Sequence, residues 1–322
     1  MAGEFDLISK YFANQQLKRS DVALSQGDDC ALLQAPENTH IAVSTDSLIA
    51  GTHFLEHANP QWVGHKALAS NISDLAAMGA EPAWVSMAIT LPSADETWLE
   101  GFCEGFFELA NAHDLQLIGG DTTRGPLGIT LTVQGFIPQG LALLRSGAKV
   151  GDKILVSGYL GDSHAGLDVI LDPSKRERAH ASELERRHYC ASSRVALGML
   201  LRGKASSCID ISDGLVSDIQ HIMQRSNVGA QIHCDKLPLS AELIEYTQDK
   251  RLAQQYALKS GEEYELCFTL PQHLLESVRQ SAQLHNVMIT EIGEITDSNT
   301  LHLFDNGQAL EDDVAGFDHF RS

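Results

Sequence analysis

Apolar residues recur along this chain with two alternating periods. Residues 4 to 12 (EFDLISKYF) read as a short amphipathic helix, after which the text turns Gly- and Asp-rich through GDDCALL, Gly27 to Leu33. Ile41 to Ser44 reads as a strand running into a polar turn. From Trp62 to Met78 the positions Leu68, Ile72, Leu75 and Met78 fall at helical spacing, and Gly79 with Pro82 ends the pattern. Asn71 and Asp74 then share one face of that helix. Trp84 to Leu91 predicts a strand, and Ser93 with Glu96 predicts a capping box for a helix whose stripe is Leu99, Phe102, Phe106 and Leu109. Leu115 to Ile118 and Ile129 to Phe136 read as strands separated by the turn Gly119 to Pro126. A second block opens near Ala148, where VGDKILVSGYLGD predicts strand, Gly turn and helix start. Its later elements are helices around Arg194 to Leu201 and Leu215 to Arg225, and strands at Cys208 to Ile211 and Tyr264 to Leu270. This alternation predicts α/β and α+β domains with mixed sheets, divided as 1–147 and 148–322.

The length of 322 residues suits two domains, each with its own core. With 23 Lys+Arg against 43 Asp+Glu, the net charge is −20, which disfavours a nucleic-acid partner. An acidic protein that handles phosphates must do so through bound cations. The cysteines at 30, 103, 190, 208, 234 and 267 show no zinc spacing and fit a reduced cytoplasmic setting. No apolar run reaches the length of a membrane span, and the N-terminal segment lacks a signal-peptide core.

The chemistry concentrates in acidic residues expected at turns after strands: Asp28, Asp29, Asp46, Asp121, Asp210 and Asp213, with helical Asp74 beside them. A carboxylate on a turn costs nothing if it points to solvent, so no single one of them marks a site. As a set, with Gly, Ser and Thr as neighbours, they offer hard oxygen ligands of the kind Mg²⁺ takes. Zinc is disfavoured because His and Cys are not grouped with them. Neither glycine-rich phosphate fingerprint is present, and Arg124 and Arg145 are the basic residues within the motif regions. By position alone, His53 and Glu262 read first as structural residues, and Phe317 as an anchor for the tail. Ser163 and His164 are adjacent in sequence and so do not suggest a nucleophile and its base.

The strings GDDCALL (Gly27 to Leu33), STDSLIAGTHF (Ser44 to Phe54), NISDLAAMGAEP (Asn71 to Pro82), LIGGDTTRGP (Leu117 to Pro126), RSGAKVGDKILVSG (Arg145 to Gly158), IDISDGL (Ile209 to Leu215), EEYELCF (Glu262 to Phe268) and GFDHF (Gly316 to Phe320) resemble, in order and end to end, the bacterial thiamine-monophosphate kinases of the aminoimidazole ribonucleotide synthetase superfamily. The resemblance implies an N-terminal α/β domain that dimerises through its sheet and a C-terminal α+β domain. It implies Mg²⁺ ligands at Asp29, Asp46, Asp74, Asp121, Asp210 and Asp213, with oxygens from Ser44 and Thr45. ATP contacts fall at Gly120, Asp121, Arg145 and Ser212, and thiamine monophosphate contacts at His53, Glu262 and Phe317. The implied reaction is direct in-line transfer of the γ-phosphoryl group, with no general base or covalent nucleophile. The alternatives are another ATP-using member of the superfamily and a non-catalytic nucleotide-binding regulator. Two departures stand out. Phe317 replaces the usual Tyr or Trp, and Ser260-Gly261 replaces a pair of glycines before the Glu.

Overall fold

The computed structural model describes residues 4–13 and 18–310. They form two compact units, the first ending at Gly140 and the second starting at Leu141, with Ala76–Gly79 counted in the second.

The first unit opens with the short helix α1 (Glu4–Leu7), which passes into a π-helical segment, Ile8–Ala13. A small ribbon follows, β1 (Val22–Leu24) on β2 (Leu32–Leu33). The main sheet contains β3 (Thr39–Ile49), β4 (Glu81–Leu91), β5 (Gln116–Arg124) and β6 (Gly128–Pro138), in the order β3-β6-β4-β5. Helices α2 (Pro60–Ala77) and α3 (Glu96–Ala112) connect its strands. They approach backbone to backbone: a Cβ at Gly64 would lie 2.1 Å from the Phe102 carbonyl, and one at Gly105 1.9 Å from that of Gln61. Only glycine permits that crossing.

Three expectations are corrected here. The strand expected at Ile41 to Ser44 is β3, which pairs with β6 without a break from Thr39↔Pro138 to Ile49↔Gly128. Asp46 therefore lies within a strand, because Thr45 and Ser47 sit on the exposed face where polar residues cost nothing. The turn expected at Gly119 to Pro126 is mostly β5, which continues to Arg124 in parallel with β4. Gly120 makes this possible, since a Cβ there would meet the Met87 carbonyl at 1.8 Å. Finally, Asp95 and not Ser93 caps α3, its carboxylate accepting the Thr97 and Trp98 amides at 3.0 and 3.1 Å.

The second unit is built on a seven-stranded mixed sheet in the order β13-β12-β9-β11-β7-β10-β8. Its strands are β7 (Lys153–Ser157), β8 (Ser207–Asp210), β9 (Gly229–His233), β10 (Leu266–Leu270), β11 (Ile289–Thr296), β12 (Leu301–Asp305) and β13 (Gln308–Ala309). The helices are α4 (Asp162–Leu171), α5 (Ala181–Tyr189), α6 (Val195–Leu201), α7 (Leu215–Ser226), α8 (Ala241–Thr247), α9 (Lys250–Lys259) and α10 (Leu275–Leu284). Alternation along β7 feeds a core on each face. Ile154 and Val156 join Leu215, Ile219 and Ile222 of α7, while Leu155 joins Val195 and Leu201 of α6 and Val278 of α10. The β10 strand begins at Leu266 and not at Tyr264, because Glu262 and Tyr264 adopt left-handed backbone, φ 57° and 54°.

Candidate functional site

In the first unit the carboxylates gather where β3 faces α2. The Ser44 hydroxyl donates to Asp74 Oδ2 at 2.5 Å, and the Asp46 amide donates to Asn71 Oδ1 at 3.2 Å. Asn71 and Asp74 face β3 together because they sit three residues apart on the helix. Burial and the neighbouring Asp74 charge push the Asp46 carboxyl up to about 6. Oxygen donors of this kind, with two carboxylates already repelling each other, suit a hard divalent cation.

The other expected ligands of this unit are placed differently. Asp29 is exposed in the loop after β1, its amide donating to Asp28 Oδ1 at 2.9 Å. The Thr45 hydroxyl is on the opposite face of β3 from Ser44 and Asp46, paired with the Thr132 hydroxyl at 2.9 Å. Any oxygen Thr45 offers on Asp46's side is therefore its carbonyl. Asp121 lies on β5, opposite Ala88 of β4 and at the far edge of the sheet from β3. Three strand spacings separate the two, about 14 Å, so Asp46 and Asp121 of one chain do not reach a common ion. Gly120 has a structural reason of its own in the close approach to Met87.

His53 lies in the turn after β3. Its Nδ1 accepts the Ile49 amide at 3.1 Å, so the neutral ring carries its proton on Nε2. Its carbonyl accepts from Lys66 Nζ at 3.0 Å. Lys66, 1% exposed on α2, escaped the sequence reading. Its signal was its spacing, since Lys66, Ser70 and Asp74 succeed one another at four-residue steps along one helix face.

In the second unit Asp210 ends β8 and is buried, and the loop Ile211 to Gly214 leads into α7. Asp218, one turn into α7, accepts the Ser212 and Asp213 amides, each at 3.1 Å. Burial and the charges of Asp213 and Asp210 push the Asp218 carboxyl up to about 7. Sequence reading missed Asp218, whose signal was a carboxylate five residues beyond Asp213 on the first turns of the helix. Glu262 stands against the same loop, its amide donating to the Ser212 carbonyl at 2.8 Å. The preceding Gly261 is needed there, because a Cβ would come within 2.8 Å of that carbonyl. Ser260 is fully buried and its hydroxyl accepts the His164 amide at 3.0 Å, which accounts for a serine at this turn. Glu263 is buried with its carboxylate accepting the Gly161 amide at 2.7 Å, and burial and Asp162 hold its carboxyl well above the usual range.

Ser163 and His164 do not pair. The Ser163 hydroxyl lies 3.0 Å from His188 Nδ1, while the His164 ring leans on Tyr256. Arg145 and Arg124 are exposed. Phe317 lies outside the described residues. Among those described, no group of three or more His, Cys, Asp or Glu side chains forms a ready-made metal cluster, and no helix is long and apolar enough to cross a membrane.

Comparison with known proteins identifies the family. The family model described as AIR synthase related protein, N-terminal domain, matches residues 27–137, and its C-terminal counterpart matches 149–306. The chain is 47% identical over 320 residues to thiamine-monophosphate kinase of Escherichia coli (strain K12), covering 99% of this chain and 98% of that protein. It is 34% identical to the Bacillus subtilis (strain 168) enzyme over 328 residues, covering 99% of each. Among solved structures, thiamine-monophosphate kinase from Stenotrophomonas maltophilia K279a superposes with a TM-score of 0.85 at 42% identity, covering 91% of this chain and 94% of that one. AaThiL complexed with AMPPCP and TMP gives 0.78 at 31% identity, covering 99% and 97%. On this evidence the chain belongs to the thiamine-monophosphate kinase family.

Proposed function

We propose that the protein transfers the γ-phosphoryl group of ATP to thiamine monophosphate, giving thiamine diphosphate and ADP. The observation that carries the reading is the pairing of Ser44, Asp46 and Asp74 across β3 and α2, an all-oxygen set whose mutual repulsion a divalent cation would relieve. Asp46 and Asp74 in the first unit and Asp210 and Asp213 in the second are the residues that would hold Mg²⁺, with Asp29, Asp121, the Ser44 hydroxyl and the Thr45 carbonyl as further oxygens. Bound there, Mg²⁺ would neutralise phosphate charge. Gly120, Asp121, Arg145 and Ser212 contact ATP, and His53, Glu262 and Phe317 contact the acceptor.

The chain's own part is to position and to exclude side reactions. The acceptor is a phosphate with a second pKa near ~6, largely deprotonated at neutral pH, so no side chain need take a proton from it. Juxtaposition of two anions is the remaining barrier, met by orientation and electrostatics. His53 presents Nε2–H from a ring fixed by the Ile49 amide. Glu262 presents a carboxylate from a backbone tied to the Ser212 carbonyl.

The protein acts as a cytoplasmic homodimer joined through the N-terminal sheet. The uncovered face of β3 supports this, for it exposes Ile41 at 47%, Val43 at 61% and Ile49 at 43%. Light scattering should give twice the 35.0 kDa chain mass at micromolar concentration. A coupled ADP-release assay tests the activity itself: release should require thiamine monophosphate and Mg²⁺ together, and acceptor-independent release would refute it.

A further inference from the structure

Behind the Glu262 carboxylate lie two buried side chains that the proposed reaction does not use. Ser163 opens α4 and is 3% exposed, and His188 lies in the last turn of α5 and is 2% exposed. His188 Nδ1 is 3.0 Å from the Ser163 hydroxyl and 3.1 Å from the Ser163 carbonyl. His188 Nε2 faces the other way, 3.6 Å from Glu262 Oε2.

The proton inventory of this line of groups is restrictive. If Nδ1 carries a proton it donates to the Ser163 carbonyl. Nε2 must then carry one too, as an imidazolium, or it would set a lone pair against a carboxylate. If instead the Ser163 hydroxyl donates to Nδ1, the neutral ring carries its proton on Nε2. Both arrangements aim an N–H at Glu262.

The Glu262 backbone is equally constrained. Its φ of 57° is a left-handed conformation that a glutamate holds only when its surroundings impose it. The amide bond to Ser212 and the tight fit of Gly261 against the same carbonyl impose it. A buried histidine that needed only a partner would be served by Ser163. The second N–H meets a carboxylate whose side chain is 27% exposed and open to water in any case.

We propose that His188, set by Ser163, is a positioning residue that fixes the Glu262 carboxylate for the phosphoryl acceptor. The inference rests on the reading that Glu262 contacts thiamine monophosphate. Steady-state kinetics of the full chain test it with His188→Ala, His188→Gln, Glu262→Gln and the pair His188→Ala with Glu262→Gln. His188→Ala should raise KM for thiamine monophosphate severalfold, through loss of the 3.6 Å contact between Nε2 and the Glu262 carboxylate, and leave KM for ATP in place. His188→Gln, whose amide supplies an N–H on the same side, should recover most of the loss. In the pair, the His188 change should add nothing once Glu262 has lost its charge. Additive losses, or a rise in both KM values, would overturn the inference and leave His188 a packing residue. An unaltered acceptor KM in Glu262→Gln alone would instead remove the assignment of Glu262 on which the inference stands. Should His188→Ala fail to fold, the wild-type ring N–H resonance of His188, identified by its loss in His188→Gln, gives the answer. It should shift on addition of thiamine monophosphate and not of a non-hydrolysable ATP analogue, and indifference to thiamine monophosphate would refute the role.

Discussion

In the first unit the acidic residues are held by side chains of the facing element, with the Ser44 hydroxyl on the Asp74 carboxylate and Asn71 Oδ1 on the Asp46 amide. In the second, the Asp210–Asp213 loop is held through its backbone, two amides converging on the buried Asp218. The first arrangement holds Asp74 by its carboxylate and Asp46 by its backbone amide. The second fixes the path of the loop and lets Asp213 project from a rigid frame. Both concentrate negative charge, and burial with neighbouring carboxylates pushes Asp46 up to about 6 and Asp218 up to about 7.

The largest effect expected from breaking this comparison is on turnover. Asp46→Asn and Asp210→Asn should each lower kcat about a hundredfold or more, the usual cost of removing one element of transition-state charge stabilisation. Circular dichroism should show both variants folded. Near-normal turnover in both at saturating Mg²⁺ would contradict the assignment of these residues to cation binding.

A second change separates geometry from charge in the rigid loop. Asp218→Ala leaves two half-buried amides without their acceptor and should destabilise the protein by about 1 to 3 kcal/mol in urea unfolding. Asp218→Asn keeps an oxygen for both amides and should retain most of the stability. Equal losses in the two variants would show that the charge, not the acceptor, holds the loop.

The proton affinities predict the next effect. The ordinary value for both acids is 3.8, and folding raises both, so the folded state binds protons more tightly than the unfolded one. This contribution is fully present below about pH 4 and is lost as pH rises through about 6 and 7. Glu183, held down to about 2 by Arg186, stays ionised throughout that upper window and adds no slope. Burial holds the His113 and His164 rings below their usual value, and they add an opposite slope in this window. In excess chelator the wild-type melting temperature should therefore fall relative to that of Asp218→Asn between pH 5 and pH 8. A wild-type melting temperature that rises relative to the variant across this range would contradict the sign of the Asp218 shift.

The smallest effect belongs to Thr45. Its hydroxyl pairs with Thr132 on the far face of β3, so Thr45→Val should leave KM for ATP and kcat within about twofold, as for a surface substitution remote from the site. A large loss would mean that the hydroxyl turns to the Asp46 side.

Much of this was legible in the residues. The helix from Pro60 onward, the strand-loop-helix through Asp210 and the mixed sheets all follow from periodicity and glycine placement. What escaped was long-range. Asp46 read as a turn residue because a half-exposed strand tolerates Thr45 and Ser47, and only the pairing with β6 shows otherwise. Gly119 and Gly120 read as a turn because sequence cannot show that Gly120 lies against Met87. Lys66, Asp218 and His188 were missed because each acts through a partner that the fold alone supplies: the His53 carbonyl, the loop amides and Ser163.

Direct phosphoryl transfer between two anions within an acidic frame makes a prediction about where the γ-phosphoryl group goes. A single turnover with γ-labelled ATP, Mg²⁺ and excess thiamine monophosphate should place all of the label in thiamine diphosphate, in step with ADP, with none retained on the protein. Label trapped on the protein when the acceptor is withheld, or released as inorganic phosphate when it is present, would contradict the account.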